Sequence, residues 1–309
     1  MNSLTKQNII ICGATATGKT IIAEKLALAL DGEIVSADSM QIYKKMNIGT
    51  AKEDLSVKQH MINICEPDEE YSVFNFSTQA RQVIRQINNS NRVAIICGGT
   101  GLYIDSIIYK MNYGLQRTDN PLIKTEIEKD LKTHGPIFIY NELLKLDPIT
   151  AKKIHVNNIR RITRALYLCR INNKPISEIQ EKIPENNFRI FIIERNREDL
   201  ISRINIRVEK MFNMGLKNEV TSLLNAGYSY NLQSMQAIGY KEWKEFFSGN
   251  ISEEQVKDKI LINTRQYAKR QITWFKNQYI NIGQYFLLEN EQDIDDLISK
   301  TIKLYKENE

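Results

Sequence analysis

The chain has 309 residues, 42% of them hydrophobic and 26% charged, which is the composition of a globular protein with a sizeable core. No apolar run approaches the length of about 20 residues that a membrane-spanning helix needs, and the first predicted strand begins too close to Met1 for a signal peptide. The four cysteines form no C-x-x-C pair, which argues against a zinc site or a disulfide framework and predicts a reducing, cytoplasmic location. The net charge, 42 − 37 = +5, is modest, so its distribution matters more than its size.

A glycine-bounded loop follows the first predicted strand, residues 9–12, and leads into a helix that begins near Ile21. The loop matches G-x-x-x-x-G-K-[ST] at every fixed position, in the strand–loop–helix context that the motif requires. Its glycines let successive N–H groups point at an anion, the helix N-terminus adds partial positive charge, and the lysine supplies a cation. The final threonine can reach a phosphate-bound Mg²⁺, so the loop is expected to hold at least two linked phosphates. The predicted phosphate-binding residues are Gly13, Ala14, Thr15, Ala16, Thr17, Gly18, Lys19 and Thr20.

Two further predicted strands end in polar residues at the place where parallel sheets bind their ligands. Residues 33–37 end at Asp38, and residues 92–97 end at Gly98-Gly99-Thr100. Because the carboxyl ends of parallel strands share one edge of a sheet, both side chains are expected beside the phosphate loop. Asp38 is predicted to hold Mg²⁺ through water or to act as a base, and the alternative is a helix N-cap. For Thr100 the alternative is a tight turn with a capping threonine.

The strand pattern stops at about Met111, and charged helical segments are predicted from Asn120 to about Pro184. Residues 151–177 contain no Asp or Glu. In the helix that begins near Asn158, apolar residues recur on one face, whereas three arginines fall on another. The arginines are Arg160, Arg161 and Arg164. Solvated faces normally mix signs, so a helix of one sign indicates a polyanion such as nucleic acid, with a solvated basic face as the alternative.

The strand pattern returns at residues 188–193, and two basic helices follow. Arg203 and Arg207 lie four residues apart on one helix face, where they either close over the phosphates or form exposed salt bridges. Residues 263–276 interleave cations with aromatics. That pattern suits contacts with RNA but is equally typical of a packed amphipathic helix.

The elements together predict an α/β protein with a P-loop-containing nucleoside triphosphate hydrolase-like, kinase-like parallel sheet and an inserted helical domain. The core comprises residues 1–112 and 188–309, and the insertion comprises residues 113–187. No long apolar strand ends in Asp at the distance usual for a motor ATPase, and no Asn-Lys-x-Asp motif reads guanine. Three classes remain: a kinase of a small molecule or nucleotide, a transferase that uses a diphosphate ester, and a non-catalytic nucleotide-gated RNA binder. The last leaves Asp38 and Thr100 without chemical roles.

Seven motifs, spread over nearly the whole chain, resemble in sequence and order those of the tRNA dimethylallyltransferases, also called tRNA isopentenyltransferases. They lie at residues 13–20, 38–43, 48–52, 98–103, 154–166, 237–241 and 264–275. The chain departs from the family's pattern at Ala14 and Thr17, where Pro and Ser are common, and at Val156 and Ile159, where Pro is usual before the basic helix. The zinc finger of eukaryotic members is not seen, so the resemblance is to the bacterial type.

The resemblance implies transfer of a dimethylallyl group from dimethylallyl diphosphate to N6 of adenosine 37, in tRNAs that read codons beginning with U. It implies Mg²⁺ as cofactor, with Thr20 as its ligand, and the tRNA anticodon stem-loop as partner. No dimer face is evident, so a monomer is expected.

The resemblance also assigns roles to residues. Asp38 becomes the general base, Thr100 positions the amine or the bridging oxygen, and Arg207 joins the phosphate loop in stabilising the leaving group, with Arg203 as a weaker candidate. The implied tRNA-binding residues are Asp38, Ser39, Met40, Gln41, Arg160, Arg161, Ile162, Thr163, Arg164, Gln236, Ala237, Ile238, Gly239, Tyr240 and Lys241.

Overall fold

The structure, a computed structural model, describes residues 7–110, 120–179, 183–184 and 188–306. The chain forms two compact units. We call Met1–Ile108 with Asn186–Glu309 the core unit, and Tyr109–Glu185 the insert unit. Residues 112, 113 and 187, which bound the predicted domains, lie outside the described residues, so those boundaries stay a prediction.

Eight strands lie within the described ranges. They are β1 (Asn8–Gly13), β2 (Gly32–Ser36), β3 (Gln59–His60), β4 (Val93–Gly98), β5 (Tyr109–Lys110), β6 (Ile183–Pro184), β7 (Phe188–Glu194) and β8 (Gly283–Leu287). Six of them form the sheet of the core unit in the order β3-β2-β4-β1-β7-β8, and every neighbouring pair is parallel. β1 therefore lies between β4 and β7, although β2 follows it in the chain. The chain thus adds strands first on one side of β1 and then on the other. Open α/β sheets bind ligands at the carboxyl ends of strands at such a change in strand order.

Twelve α-helices lie in the same ranges. They are α1 (Lys19–Ala29), α2 (Val73–Asn89), α3 (Gly101–Ile108), α4 (Pro121–Leu146), α5 (Pro148–Lys152), α6 (Ile159–Asn172), α7 (Ile176–Ile179), α8 (Arg197–Asn213), α9 (Leu216–Asn225), α10 (Trp243–Phe247), α11 (Glu253–Tyr279) and α12 (Gln292–Lys306). Local sequence explains several starts: the side chains of Ser72 and Asn196 accept from N–H groups of the first turns of α2 and α8. Ser252 and Gln255 form a reciprocal capping box at α11.

The core of the core unit is aliphatic. All six residues of β1 and all six of β4 are buried, as expected for central strands of a parallel sheet. On one face, Ile9 and Ile11 of β1 pack in a cluster with Leu26 of α1 and Leu297 of α12. This packing holds the strand ends, and with them the loops that follow, in place.

The insert unit has its own apolar core, which includes Ile127 and Leu143 of α4 and Ile162 and Leu166 of α6. α4 is kinked at Gly135, whose backbone is non-helical at φ 80°, just before Pro136. β5 and β6 pair antiparallel.

The predicted fold class is confirmed: a parallel α/β sheet with a phosphate loop after β1, interrupted by a helical segment. Strand β3 was not predicted, because two residues carry no periodicity. Among the residues that the structure describes, no helix combines the length and hydrophobicity needed to cross a membrane.

The packing beneath the phosphate loop yields a stability prediction. Ile11 is fully buried in β1, so Ile11→Ala should lower the free energy of unfolding by about 3 kcal/mol through reduced burial and the cavity left behind. Ile280→Ala is the matched control, because Ile280 is 68% exposed, and should change stability by less than about 0.5 kcal/mol. Urea denaturation measures both. Equal effects would mean that β1 is not the packed centre of the core.

Candidate active site

The phosphate loop forms a compact turn between β1 and α1. Gly18 adopts a left-handed conformation, φ 95°, which glycine tolerates best, and α1 begins at the next residue. The Thr17 hydroxyl donates to the carbonyl of Ala14 at 2.9 Å, and the Lys19 ammonium donates to the same carbonyl. The serine-to-threonine and proline-to-alanine departures at Thr17 and Ala14 thus preserve a closed loop. Lys19 folds back over that loop.

Two buried cations, Lys19 and Arg207, favour the binding of an anion at this site. Burial lowers the pKa of the Lys19 ammonium to about 8, with Arg207 adding to the shift and Asp38 opposing it. Burial likewise lowers the pKa of the Arg207 guanidinium, against the attraction of Asp38 and Glu53. Two cations that are poorly solvated gain more from a bound anion than two exposed cations would.

Asp38 and Thr100 lie beside this loop, in connections that follow neighbouring strands. Asp38 caps no helix: its Oδ1 accepts from the backbone N–H of Met40 at 2.9 Å, within a series of turns. Thr100 does stand just before α3, but its hydroxyl oxygen accepts from the Ser39 N–H at 3.0 Å. The predicted capping roles therefore describe neither side chain, and the two loops are joined through Ser39.

The two arginines of α8 behave differently. Arg203 donates through Nε to both carboxylate oxygens of Asp199 at 3.1 Å, which is the salt-bridge alternative. Arg207 forms no ion pair with any described residue and lines the cavity above the phosphate loop together with Lys19 and Thr20. The geometry therefore distinguishes Arg207 from Arg203, which the spacing alone did not.

A second cavity, of about 280 Å³, adjoins the phosphate cavity. Four residues line both: Thr15, Asp38, Arg207 and Tyr267. The walls of the second cavity are completed by residues 39–40, 49–50, 236–239 and 241, with residues of α8 and α11. It therefore brings together two of the stretches predicted to contact RNA, at one side of Asp38.

Glu219 of α9 holds part of this second cavity in shape. Its carboxylate accepts the backbone N–H groups of residues 47, 48 and 49 at 2.8–3.1 Å. The hydroxyl of Tyr240 also donates to it, at 2.6 Å. Near the phosphate loop, the Gln41 amide donates to the Thr50 carbonyl and accepts from the Ser36 hydroxyl. The side chains of Glu219 and Gln41 are thus both fixed by hydrogen bonds within the protein.

Burial narrows the set of residues predicted to contact RNA. Ile162 and Tyr240 are at most 1% exposed, so their side chains support the structure rather than meet a partner. Ala237 is 5% exposed but lines the second cavity. Gln236 and Lys241 are exposed. Gly239 is buried, and Ile238 and Thr163 are partly exposed, the latter with its hydroxyl bonded to its own helix backbone.

In the insert unit, Arg160, Arg161 and Arg164 are exposed at the start of α6. None pairs with a carboxylate of a described residue; Arg164 lies over the ring of Tyr167. Arg170, by contrast, lies 3.6–3.8 Å from three carboxylates of α4. The one-signed face is therefore uncompensated, as the sequence predicted.

Two site residues were missed from the sequence, Tyr267 and Gln271. Both lie in residues 263–276, whose pattern suits contacts with RNA and is equally typical of a packed amphipathic helix. Their i, i+4 spacing on α11 places them on one face, and that spacing was the available signal. Arg265, Lys269 and Lys276 on the same helix are exposed.

The arrangement can bind linked phosphates next to a carboxylate and a hydroxyl. Within the described ranges, no group of three or more His, Cys, Asp or Glu side chains could hold a metal ion. A divalent ion would therefore need phosphate oxygens and water as ligands besides the Thr20 hydroxyl. Mg²⁺ is commonly bound in this way in proteins. Asp38 and Glu53 line the same cavity as Thr20, so negative charge is available nearby.

Known proteins are similar in sequence to this chain over most of its length. A tRNA dimethylallyltransferase of Caldanaerobacter subterraneus is 44% identical over 280 residues, covering 87% of this chain and 89% of that protein. One of Clostridioides difficile is 38% identical and covers 97% of both chains.

Solved structures of related enzymes have a similar fold. The tRNA isopentenylpyrophosphate transferase of Bacillus halodurans superposes with a TM-score of 0.72 at 34% identity, covering 98% of both chains. A eukaryotic dimethylallyltransferase acting on tRNA superposes with a TM-score of 0.83 at 27% identity, covering 96% of this chain and 77% of that one. The family model described as IPP transferase matches residues 41–278, and the chain belongs to that family.

Proposed function

We propose that the protein transfers the dimethylallyl group of dimethylallyl diphosphate to N6 of adenosine 37 in tRNAs that read codons beginning with U. The observation that carries this proposal is the pair of adjoining cavities that share Thr15, Asp38, Arg207 and Tyr267. The phosphate loop lines one cavity, and residues 39–40, 49–50 and 236–239 with parts of α8 and α11 line the other. A diphosphate in the first and an adenine in the second would meet at Asp38.

The leaving group of this reaction is diphosphate, and the cationic side chains suit it. As the bond between carbon and the bridging oxygen breaks, negative charge grows on the diphosphate. Lys19, Arg207 and N–H groups of the loop other than that of Thr15, which is bonded to Gln271, stabilise that charge in a buried setting, where such contacts are strongest. Lys19 exchanges the Ala14 carbonyl for a phosphate oxygen when the substrate binds.

The acceptor is an exocyclic amine, which is a poor nucleophile until a proton can leave. As the new bond between N6 and the allylic carbon forms, Asp38 takes the N6 proton as general base. The Thr100 hydroxyl, joined to Ser39, positions the amine or the bridging oxygen. The atoms and charges balance, since one proton passes to Asp38 and diphosphate leaves.

The adenine must leave the anticodon loop to enter the second cavity. Ser39, Met40 and the exposed members of residues 236–241 are proposed to contact the displaced base or its neighbours. Arg160, Arg161 and Arg164 are proposed to hold the phosphate backbone of the stem-loop, which positions the tRNA without reading its sequence.

Mg²⁺ is the proposed cofactor, and the Thr20 hydroxyl would be its ligand from the protein. When bound, the ion would supply further charge neutralisation on the leaving group. We further propose a monomer acting in the cytoplasm, where its tRNA substrate occurs.

One experiment tests the class of reaction. Purified protein is incubated with isotope-labelled dimethylallyl diphosphate and unmodified tRNA, without ATP. Label in tRNA, recovered as N6-(dimethylallyl)adenosine, supports the proposal. No label, together with ATP turnover on a small acceptor, would instead favour a P-loop kinase with an RNA-binding insertion.

Asp38→Asn tests the general base, because Asn keeps the acceptor for the Met40 N–H but cannot take a proton at neutral pH. We expect kcat to fall by about 100-fold or more, while tRNA affinity changes less than about threefold. Single-turnover kinetics and a filter-binding assay measure the two. Equal losses of rate and affinity would remove Asp38 from the role of base.

The arginine face of α6 yields a prediction about salt. Replacing Arg160, Arg161 and Arg164 with Glu should weaken tRNA binding and lower the slope of log K against log[salt] by about one for each phosphate that is no longer neutralised. Lys145→Glu, on exposed surface of the same unit where Lys145 pairs with Glu142, is the control. An unchanged slope in the triple variant would make the arginines a solvated face.

The lowered pKa of Lys19 predicts a pH dependence. Below about 8 the free protein carries the Lys19 charge. Above that pH, binding of diphosphate must take up a proton, so affinity for inorganic diphosphate should fall by up to about tenfold per pH unit. Lys19→Met should bind diphosphate weakly and should lack the part of the pH dependence that comes from Lys19. Its profile therefore reports the titration of diphosphate itself. Parallel profiles for both proteins, measured by calorimetry, would contradict the prediction.

A further inference from the structure

The side chain of Gln271 on α11 contacts both loops of the site. Its Oε1 accepts from the backbone N–H of Thr15 at 2.8 Å, in the phosphate loop. Its Nε2 donates to the carbonyl of Gly99 at 2.8 Å, in the loop after β4. Gln271 is 6% exposed, so both bonds are shielded from water. One amide thus spans the gap between the two loops.

The fit around this amide is close. A Cβ atom built on Gly99 would lie 2.2 Å from Nε2 of Gln271, so no larger residue fits there without movement. One turn earlier on the same helix, Tyr267 lines the same cavity as Gln271, Thr15 and Gly99. α11 therefore reaches both the phosphate loop and the Gly99-Thr100 loop, and the Gln271 side chain bonds to each of them.

A buried amide is costly unless both of its ends are bonded. An aliphatic side chain of similar length would fill the space without that cost, so packing alone does not call for glutamine here. The two bonds do what packing cannot: they fix a distance and a direction between two backbone segments. The Thr15 N–H is also thereby withheld from phosphate.

We propose that Gln271 is a positioning residue that sets the spacing between the diphosphate site and the acceptor-amine site. This inference rests on the proposed function, in which the phosphate loop holds the leaving group and Thr100 aligns the attacking amine. A shift of about 1 Å between reacting groups costs about 100-fold in rate, so a fixed bridge between the loops matters for catalysis.

The first test separates rate from binding. Gln271→Met keeps length and bulk but breaks both bonds, and should lower kcat by about 100-fold while the KM for dimethylallyl diphosphate changes less than about threefold. A rise in KM as large as the fall in kcat, or an unchanged kcat, would overturn the proposal. Gln278→Glu, an exposed change on the same helix, should leave both constants as in the wild type.

The second test is a pH profile that general destabilisation would not produce. In Gln271→Glu, the protonated carboxyl accepts from the Thr15 N–H and donates to the Gly99 carbonyl, whereas the ionised form repels that carbonyl. The ratio of its kcat to that of the wild type should therefore rise at least about fivefold between pH 8 and pH 6. A flat ratio would overturn the proposal.

The third test needs no catalysis. Hydrogen exchange of the Thr15 amide in the free protein should be slow in the wild type and at least about tenfold faster in Gln271→Met. Equal exchange rates would overturn the bridge even if the wild type transfers the prenyl group. Conversely, a wild type that transfers no label to tRNA refutes the proposed function but leaves the bridge supported by slow exchange.

Discussion

The parallel pairing of β1 with both β4 and β7 is the constraint on which the site depends. Because β1 lies between strands that precede and follow the insert unit in the chain, its carboxyl end meets loops from distant parts of the sequence. Because β1 and β4 are buried along their whole length, their register is fixed. The positions of the loops that follow these strands are fixed with it. This edge of the sheet can therefore hold a lysine whose charge is costly to bury.

Two kinds of support act on this edge. Strand ends place Lys19, Asp38 and Thr100 roughly, as they would in any sheet of this topology. Long-range polar contacts then refine the placement: Gln271 joins the loops after β1 and β4, and Glu219 holds residues 47–49. Such contacts are weak in water but strong when buried, so α9 and α11 act on the site although neither carries the phosphate loop.

The site residues could be predicted where chemistry is local. A phosphate loop is a short segment with its own conformational requirements, so residues 13–20 could be identified from spacing alone. Asp38 and Thr100 follow from strand ends. Prediction failed for side chains whose partners are remote, as with Gln271, which lies 256 residues from Thr15. It was also too broad for residues 236–241, because a motif does not reveal that Tyr240 points inward.

By itself, the sequence determined the fold class, the phosphate loop and the one-signed face of α6, because each depends on periodicity or on neighbours within a few residues. Tertiary structure alone decided that Arg207 lines the site while Arg203 pairs with Asp199, since both occupy the same helix face. It also decided that two cavities meet at Asp38. These outcomes depend on which segments pack together, and a linear pattern carries no distance between segments that are far apart in the chain.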